Sequence, residues 1–142
     1  MPAVPIAETS AGIDLQARVP VSTTVVGSPA AASETIIAQV TLTGDVAVLR
    51  GVIIRGFAAF TVGTSGTAVT LRIRQTNVSG TIVGTTGALT GGIAGGNLVV
   101  ENVVGVDASP SNTGQVYVMT LQVTAGAATS TVSAVELDAL VV

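Results

Sequence analysis

The chain contains no cysteine, histidine or tryptophan, all five of its cationic residues are arginines, and only three residues are aromatic. Without cysteine it can form neither a disulfide nor a thiolate metal site. Without histidine and lysine it lacks the commonest general base and the amine that forms Schiff bases, and a Ser-His-Asp triad is impossible. These absences predict a protein that is not an enzyme and that holds no cofactor and no metal.

Charge is also scarce. Charged residues make up 9% of the chain, against about 25% in an average soluble domain. The net charge is −3, and a surface that follows phosphates needs clustered basic residues, so we expect no nucleic-acid partner. Two interpretations of the low charge stay open. Thr and Ser cover an ordinary β domain, or neighbours in an assembly cover much of the surface, since interface cores are depleted in charge.

The mean hydropathy of +0.74 raises the question of a membrane. The longest runs without charge are residues 75–100 and 108–135. The first run contains many glycines and polar residues, and the second is interrupted by Ser109–Asn112. A spanning helix needs about 20 predominantly apolar residues in succession. The N-terminus also lacks the basic and apolar regions of a signal peptide, so we expect no membrane association.

Thr, Val and Ile dominate the chain, and these β-branched residues favour strands. Alternation with period two is clear in 67–76, where Val69, Leu71 and Ile73 alternate with Arg72 and Arg74. Turn-forming residues separate the apolar runs. The pattern predicts strands at 20–26, 36–43, 48–55, 56–62, 67–76, 79–84, 98–106, 115–124 and 130–141, where the third and fourth can instead be one long strand bent at Gly56.

The length of 142 residues fits one compact domain. We place a β-sandwich at 20–142, because many short strands at this spacing are typical of a sandwich or barrel. Three prolines occur within the first 20 positions, and residues 1–19 show no steady period, which predicts an extended N-terminal arm. A disordered tail is the alternative, although the apolar Ile6, Ile13 and Leu15 are unusual for one.

Three places bear on chemistry. Glu136 and Asp138 share one face of a strand, and a pair of acids could in principle catalyse glycoside hydrolysis. A strand face that is solvated or paired with arginine is the simpler interpretation. The loop 107–112 is rich in oxygen atoms that suit Ca²⁺, but its spacing matches no EF-hand and favours a turn. The segment Gly91–Gly96 lacks the Lys-Ser/Thr of a phosphate loop, which favours a flexible connection.

Arg72 and Arg74 form the one basic cluster and lie on the polar face of a predicted strand. Arginine suits interfaces because its planar fork makes bidentate contacts. Two interpretations stay open: a contact with the carboxylates of a partner, or pairing within the domain. The candidates for internal pairing are Glu101, Glu136 and Asp138. We take Ile6, Ile13 and Leu15 of the arm, with Arg72 and Arg74, as the predicted interface residues.

Several stretches together suggest a family. They are Gly51–Gly56 (GVIIRG), Phe60–Gly63 (FTVG), Thr67–Arg74 (TAVTLRIR), Val78–Gly84 (VSGTIVG) and Gly114–Leu121 (GQVYVMTL). Over about residues 45–142 the chain resembles the small jelly-roll decoration, or cement, proteins of tailed bacteriophage capsids. The resemblance rests on strand rhythm and composition.

The resemblance implies an antiparallel, eight-stranded jelly-roll sandwich with an extended N-terminal arm that reaches a neighbouring subunit. It implies a homotrimer on the outer capsid surface of a virion, where it braces the major capsid protein by packing between capsomers. Other functions remain open on the same residues. They are a single-jelly-roll major capsid protein, a tail-fibre or spike subunit, and a secreted adhesin or binding sandwich.

Overall fold

A computed structural model of the chain describes residues 14–19, 33–42, 51–62, 68–89, 98–111, 114–124 and 130–141. These residues contain strands and turns and no helix. The strands are β1 (Asp14–Val19), β2 (Glu34–Thr41), β3 (Val52–Val62), β4 (Ala68–Gln75), β5 (Ile82–Thr85), β6 (Leu98–Asp107), β7 (Val116–Thr124) and β8 (Ser130–Val141).

All strand pairs are antiparallel, and the strand order is β1-β8-β3-β6-β5-β4-β7-β2. The order divides into two halves, β1-β8-β3-β6 and β5-β4-β7-β2. The sheet curves until β2, at one end of the order, lies close to β8 near the other end. The predicted all-β antiparallel class is confirmed, and this order is consistent with a sandwich of the jelly-roll type.

The core lies between the two halves. Alternation along β4 and β7 places every second side chain inside, because successive residues of a strand point to opposite faces. Fully buried side chains come from both halves. The largest of them are Tyr117, Phe60, Ile37, Ile54, Leu71, Ile73, Met119, Leu121 and Leu137.

Two glycines mark the corner where the halves meet. The only pairing between β5 and β6 in the described residues joins Gly84 to Gly105. A Cβ added to Gly84 would lie 2.5 Å from the carbonyl oxygen of Val104, a distance that real side chains do not adopt. The close approach of two backbones therefore requires glycine here.

A third glycine explains the uncertainty about the long strand. β3 is one strand, and its register with β6 runs through Gly56 without interruption. Its register with β8 shifts only between Ala59 and Phe60. A Cβ on Gly56 would collide with the sulfur of Met119 on the opposite half. The lack of a side chain at Gly56 therefore leaves space for a core methionine. It does not mark a bend in the strand.

Some predicted segments differ from the structure or lie outside its described residues. The predicted strand 20–26 and the segment Gly91–Gly96 lie outside them, as do residues 1–13 of the arm. Asp14–Val19 of the arm forms β1 and pairs with β8. The turn expected at Asn77–Gly80 is present, and the strand predicted at 79–84 begins only at Ile82, because the backbone N–H of Gly80 donates to the carbonyl oxygen of Asn77 and closes that turn.

Candidate functional site

The arginine cluster lies on the outer face of the half formed by β2, β7 and β4. β7 lies between the other two strands, pairing Glu34 of β2 with Gln122 and Arg72 of β4 with Thr120. Side chains directly across an antiparallel pair share a face. The register thus brings Glu34, on one strand, to the arginines two strands away. We call these residues the Glu34 cluster; its members are Glu34, Arg72, Arg74, Thr120 and Gln122.

Arg74 binds Glu34 with two parallel hydrogen bonds. Its Nε donates to Oε1 at 2.7 Å and its Nη2 donates to Oε2 at 2.9 Å. Arg72 adds a longer bond, from Nη1 to Oε2 of Glu34 at 3.2 Å, and a second bond to Oε1 of Gln122 at 2.6 Å. The hydroxyl of Thr120 also donates to Glu34. One carboxylate therefore receives donors from three side chains.

The cluster changes the proton affinity of its acid. Burial alone would raise the pKa of Glu34, but the hydrogen bonds from Arg74 and Thr120 and the charges of both arginines outweigh burial and lower it. The hydrogen bond from Glu34 in turn raises the pKa of Arg74. Glu34 and Arg74 therefore stay ionised at neutral pH, and the formal charges of two arginines and one glutamate sum to a surplus of one positive charge.

The structure corrects the expected internal partner of the arginines. Arg72 and Arg74 pair with Glu34, and neither pairs with Glu101, Glu136 or Asp138 within the described residues. Glu34 was not among the predicted partners because the predicted strand began at residue 36, which left this acid outside the alternating pattern. The role of the two arginines in an interface stays a prediction.

The oxygen-rich loop uses its carboxylate inside the protein. Asp107 is buried at the end of β6, and its Oδ2 accepts hydrogen bonds from the hydroxyl of Tyr117 at 2.8 Å and from Nε2 of Gln75 at 2.6 Å. Its Oδ1 accepts the backbone N–H of Ser109 at 3.0 Å. Asp107 thereby ties β6 of one half to β7 and β4 of the other. Burial, followed by the bond to Asp107, raises the pKa of Tyr117.

The acid pair that the sequence suggested lies on an open sheet face. Glu136 is exposed on β8 beside Phe57, and Asp138 is half-buried beside Arg55. β8, and β3 with Phe57 and Arg55, both belong to the half that does not carry the Glu34 cluster. No three His, Cys, Asp or Glu residues in the described parts of the chain lie close enough to hold a metal ion. The described segments also hold no helix with the length and hydropathy to cross a bilayer.

The other predicted interface residues lie apart from the arginines or outside the described chain. Ile6 and Ile13 lie outside the described residues, and Leu15 lies on β1, of which only the backbone is described. The sequence pattern did not single out β6, where every second residue turns outward. Leu98, Val100, Val104 and Val106 on that strand are 60%, 51%, 58% and 61% exposed. We call these four residues the β6 stripe.

Comparison with known proteins gives the fold a context. A solved structure of infectious bursal disease virus, Gt strain, matches 99% of this chain with a TM-score of 0.57 and 11% identity, and the match covers 38% of that chain. A structure of the Gx strain matches 86% of this chain with a TM-score of 0.47 and 14% identity, covering 30% of that chain. No family model matches the sequence, and no curated protein does.

At these identities the likeness to the Gt strain shows the fold alone. This chain spans well under half of each of these two virus chains. The expectation of a fold used in virus particles agrees with this likeness. The narrower resemblance, to decoration proteins of tailed bacteriophages, stays a prediction.

Proposed function

We propose that the chain is a structural protein of a virus particle, and that it acts as a decoration or cement protein on the outer surface of the capsid. The observation that carries the proposal is a jelly-roll type of sandwich, similar in fold to a virus structure, whose outer face exposes the β6 stripe. Such an exposed apolar row is typical of a surface that a neighbour covers.

The arrangement of charge supports the same function. The one charged cluster in the described residues pairs both of its arginines with Glu34 inside the chain, and exposed ion pairs contribute only about 0–1 kcal/mol each. Attachment would therefore depend on apolar area, which contributes about 25 cal/mol per Å² before ordering costs. Many copies on one particle would multiply such weak contacts. We further propose an eight-stranded jelly roll with an N-terminal arm, assembled as a homotrimer on the major capsid protein.

The direct test is quantitative mass spectrometry of purified particles, followed by removal of the protein and heating. We expect a stoichiometric copy number on the particle surface, and a lower temperature of capsid disruption when the protein is absent. Re-addition of the purified chain should restore the original temperature. Absence from particles, or particles indifferent to its removal, would reject the proposal. A copy number equal to that of the shell subunit would favour a major capsid protein instead.

A further inference from the structure

The outer face of β8, β3 and β6 combines apolar side chains with a few charges. The β6 stripe lies along one side of it, with Asn102 between its two apolar pairs. On β3 the outward positions next to the stripe include Ile53 beside Val106 and Phe57 beside Asn102, and both of these β3 side chains are half-buried. The apolar surface is therefore two strands wide. We call this surface, formed by the outward residues of β8, β3 and β6, the β6 face.

The charges on the β6 face have both signs. Arg55 is exposed in the middle of β3, between Val104 on one side and Asp138 on the other. Glu136 is exposed two residues from Asp138. Among the residues that the structure describes, neither Arg55 nor Glu136 forms a salt bridge. This differs from the Glu34 cluster, where each charged group has an opposite charge within reach.

We infer that the β6 face is the surface through which copies of this chain contact one another, an inference that rests on the proposed function and names its self-assembly contact. A face that carries a cation and an anion outside any described salt bridge is complementary to itself: Arg55 of one copy can meet Glu136 of the next. The β6 stripe supplies the apolar area beside them. The charge pairs set the register of such a contact, and the apolar stripe beside them stabilises it.

The first experiment places a charge in the stripe. Val104→Glu should lower the self-association constant of the purified chain at least tenfold, measured by sedimentation and native mass spectrometry. A carboxylate buried in an apolar contact loses its hydration without a partner. The matched control is Val78→Glu, a valine that is 39% exposed in the turn after β4 and lies outside the β6 stripe. Val78→Glu should associate as the natural chain does, and circular dichroism should show that both variants fold.

The second experiment asks whether the partner is another copy. Arg55→Glu and Glu136→Arg should each weaken self-association, because each leaves like charges across the contact. An equal mixture of the two variants should form mixed oligomers, because the acid introduced at position 55 of one variant meets the guanidinium introduced at position 136 of the other. Native mass spectrometry separates the mixed species by mass. A mixture that associates no better than either variant alone would overturn the inference.

The two proposals fail in different ways. If Val104→Glu abolishes binding to particles but leaves the oligomer unchanged, the β6 face binds another protein of the particle, and the inference is wrong while the proposed function stands. If the variant changes the melting temperature of a monomer and nothing else, the face is covered from within the chain and the inference is again wrong. If self-association behaves as expected but the chain is absent from particles, only the proposed function is rejected.

Discussion

The two outer faces of this sandwich differ in how their charged side chains are paired. The face formed by β2, β7 and β4 places two arginines above a sheet and provides Glu34 to bind them. The β6 face leaves Arg55 and Glu136 without a salt bridge in the described residues and exposes the four apolar side chains of the β6 stripe. The first face completes its ion pairs within the chain, whereas the second leaves its charges without a described salt bridge, which suits the contact between copies that we infer.

The largest expected effect compares an apolar side chain inside the sandwich with one on the β6 face. Leu71→Ala should lower the free energy of unfolding by about 3 kcal/mol, because Leu71 is fully buried on β4 and its removal leaves a cavity. Val104→Ala should change the free energy of the isolated chain by less than about 0.5 kcal/mol. Urea denaturation of both variants checks the comparison. Equal losses would show that the β6 stripe already packs against part of the same chain.

The next effect concerns the Glu34 cluster. Glu34→Gln should lower the free energy of unfolding by about 2 kcal/mol, because it removes the negative charge and one of the two acceptor oxygens that two arginines and the buried Thr120 share. Glu136→Gln removes the same charge from the β6 face, where no described ion pair holds it, and should cost less than about 0.5 kcal/mol. Denaturant titration at neutral pH measures both. A similar cost for the two substitutions would mean that the cluster adds nothing to stability.

Acid should remove the difference in stability between the natural chain and Glu34→Gln. The folded chain lowers the pKa of Glu34, so the ionised cluster stabilises the fold above the pKa that an unfolded glutamate has, about 4.3. As the pH falls through the lower folded pKa, the folded carboxylate takes up a proton and the contribution disappears. The natural chain and Glu34→Gln should therefore converge in stability as the pH drops below about 4. A gap that stays constant down to that acidity would assign it to packing rather than charge.

The sequence predicted the all-β class of the fold, because period-two alternation is visible within each strand and does not depend on which strands pair. The inward rows of β4 and β7 follow directly from it. It did not predict that Glu34 binds Arg72 and Arg74, since 38 and 40 residues separate the partners. Such a contact depends on strand order, and no local pattern specifies which strand lies between two others.

The sequence pattern did not reveal the β6 stripe, for a related reason. Leu98, Val100, Val104 and Val106 alternate with residues that are also mostly apolar, such as Val99 and Val103. When both faces of a strand are apolar, alternation cannot tell which one is buried. The role of Gly56 was ambiguous for a similar reason. The atom that requires a glycine there is the sulfur of Met119, which lies on the opposite half of the sandwich. The sequence shows that a glycine is present but not which distant atom requires it.

The smallest expected effect lies at the edge of the Glu34 cluster, in the turn that follows β4. The carbonyl oxygen of Gly80 in this turn accepts a hydrogen bond from Nη1 of Arg74 at 2.9 Å, so the turn belongs to the face that is complete within the chain. Thr76 begins the turn with a φ of 68°, a left-handed conformation that is unfavourable for a β-branched residue.

Thr76→Gly should raise the free energy of unfolding by about 0.5 kcal/mol, because relief of the left-handed strain exceeds the added freedom of the unfolded chain. Thr81→Gly is the matched control: Thr81 is also exposed, and it is not among the residues with positive φ. The control should lose about 0.5 kcal/mol. Opposite signs in thermal unfolding would show that Thr76 holds strain in the turn that braces Arg74. A loss in both variants would show that the threonine side chain stabilises the turn by more than its backbone conformation costs.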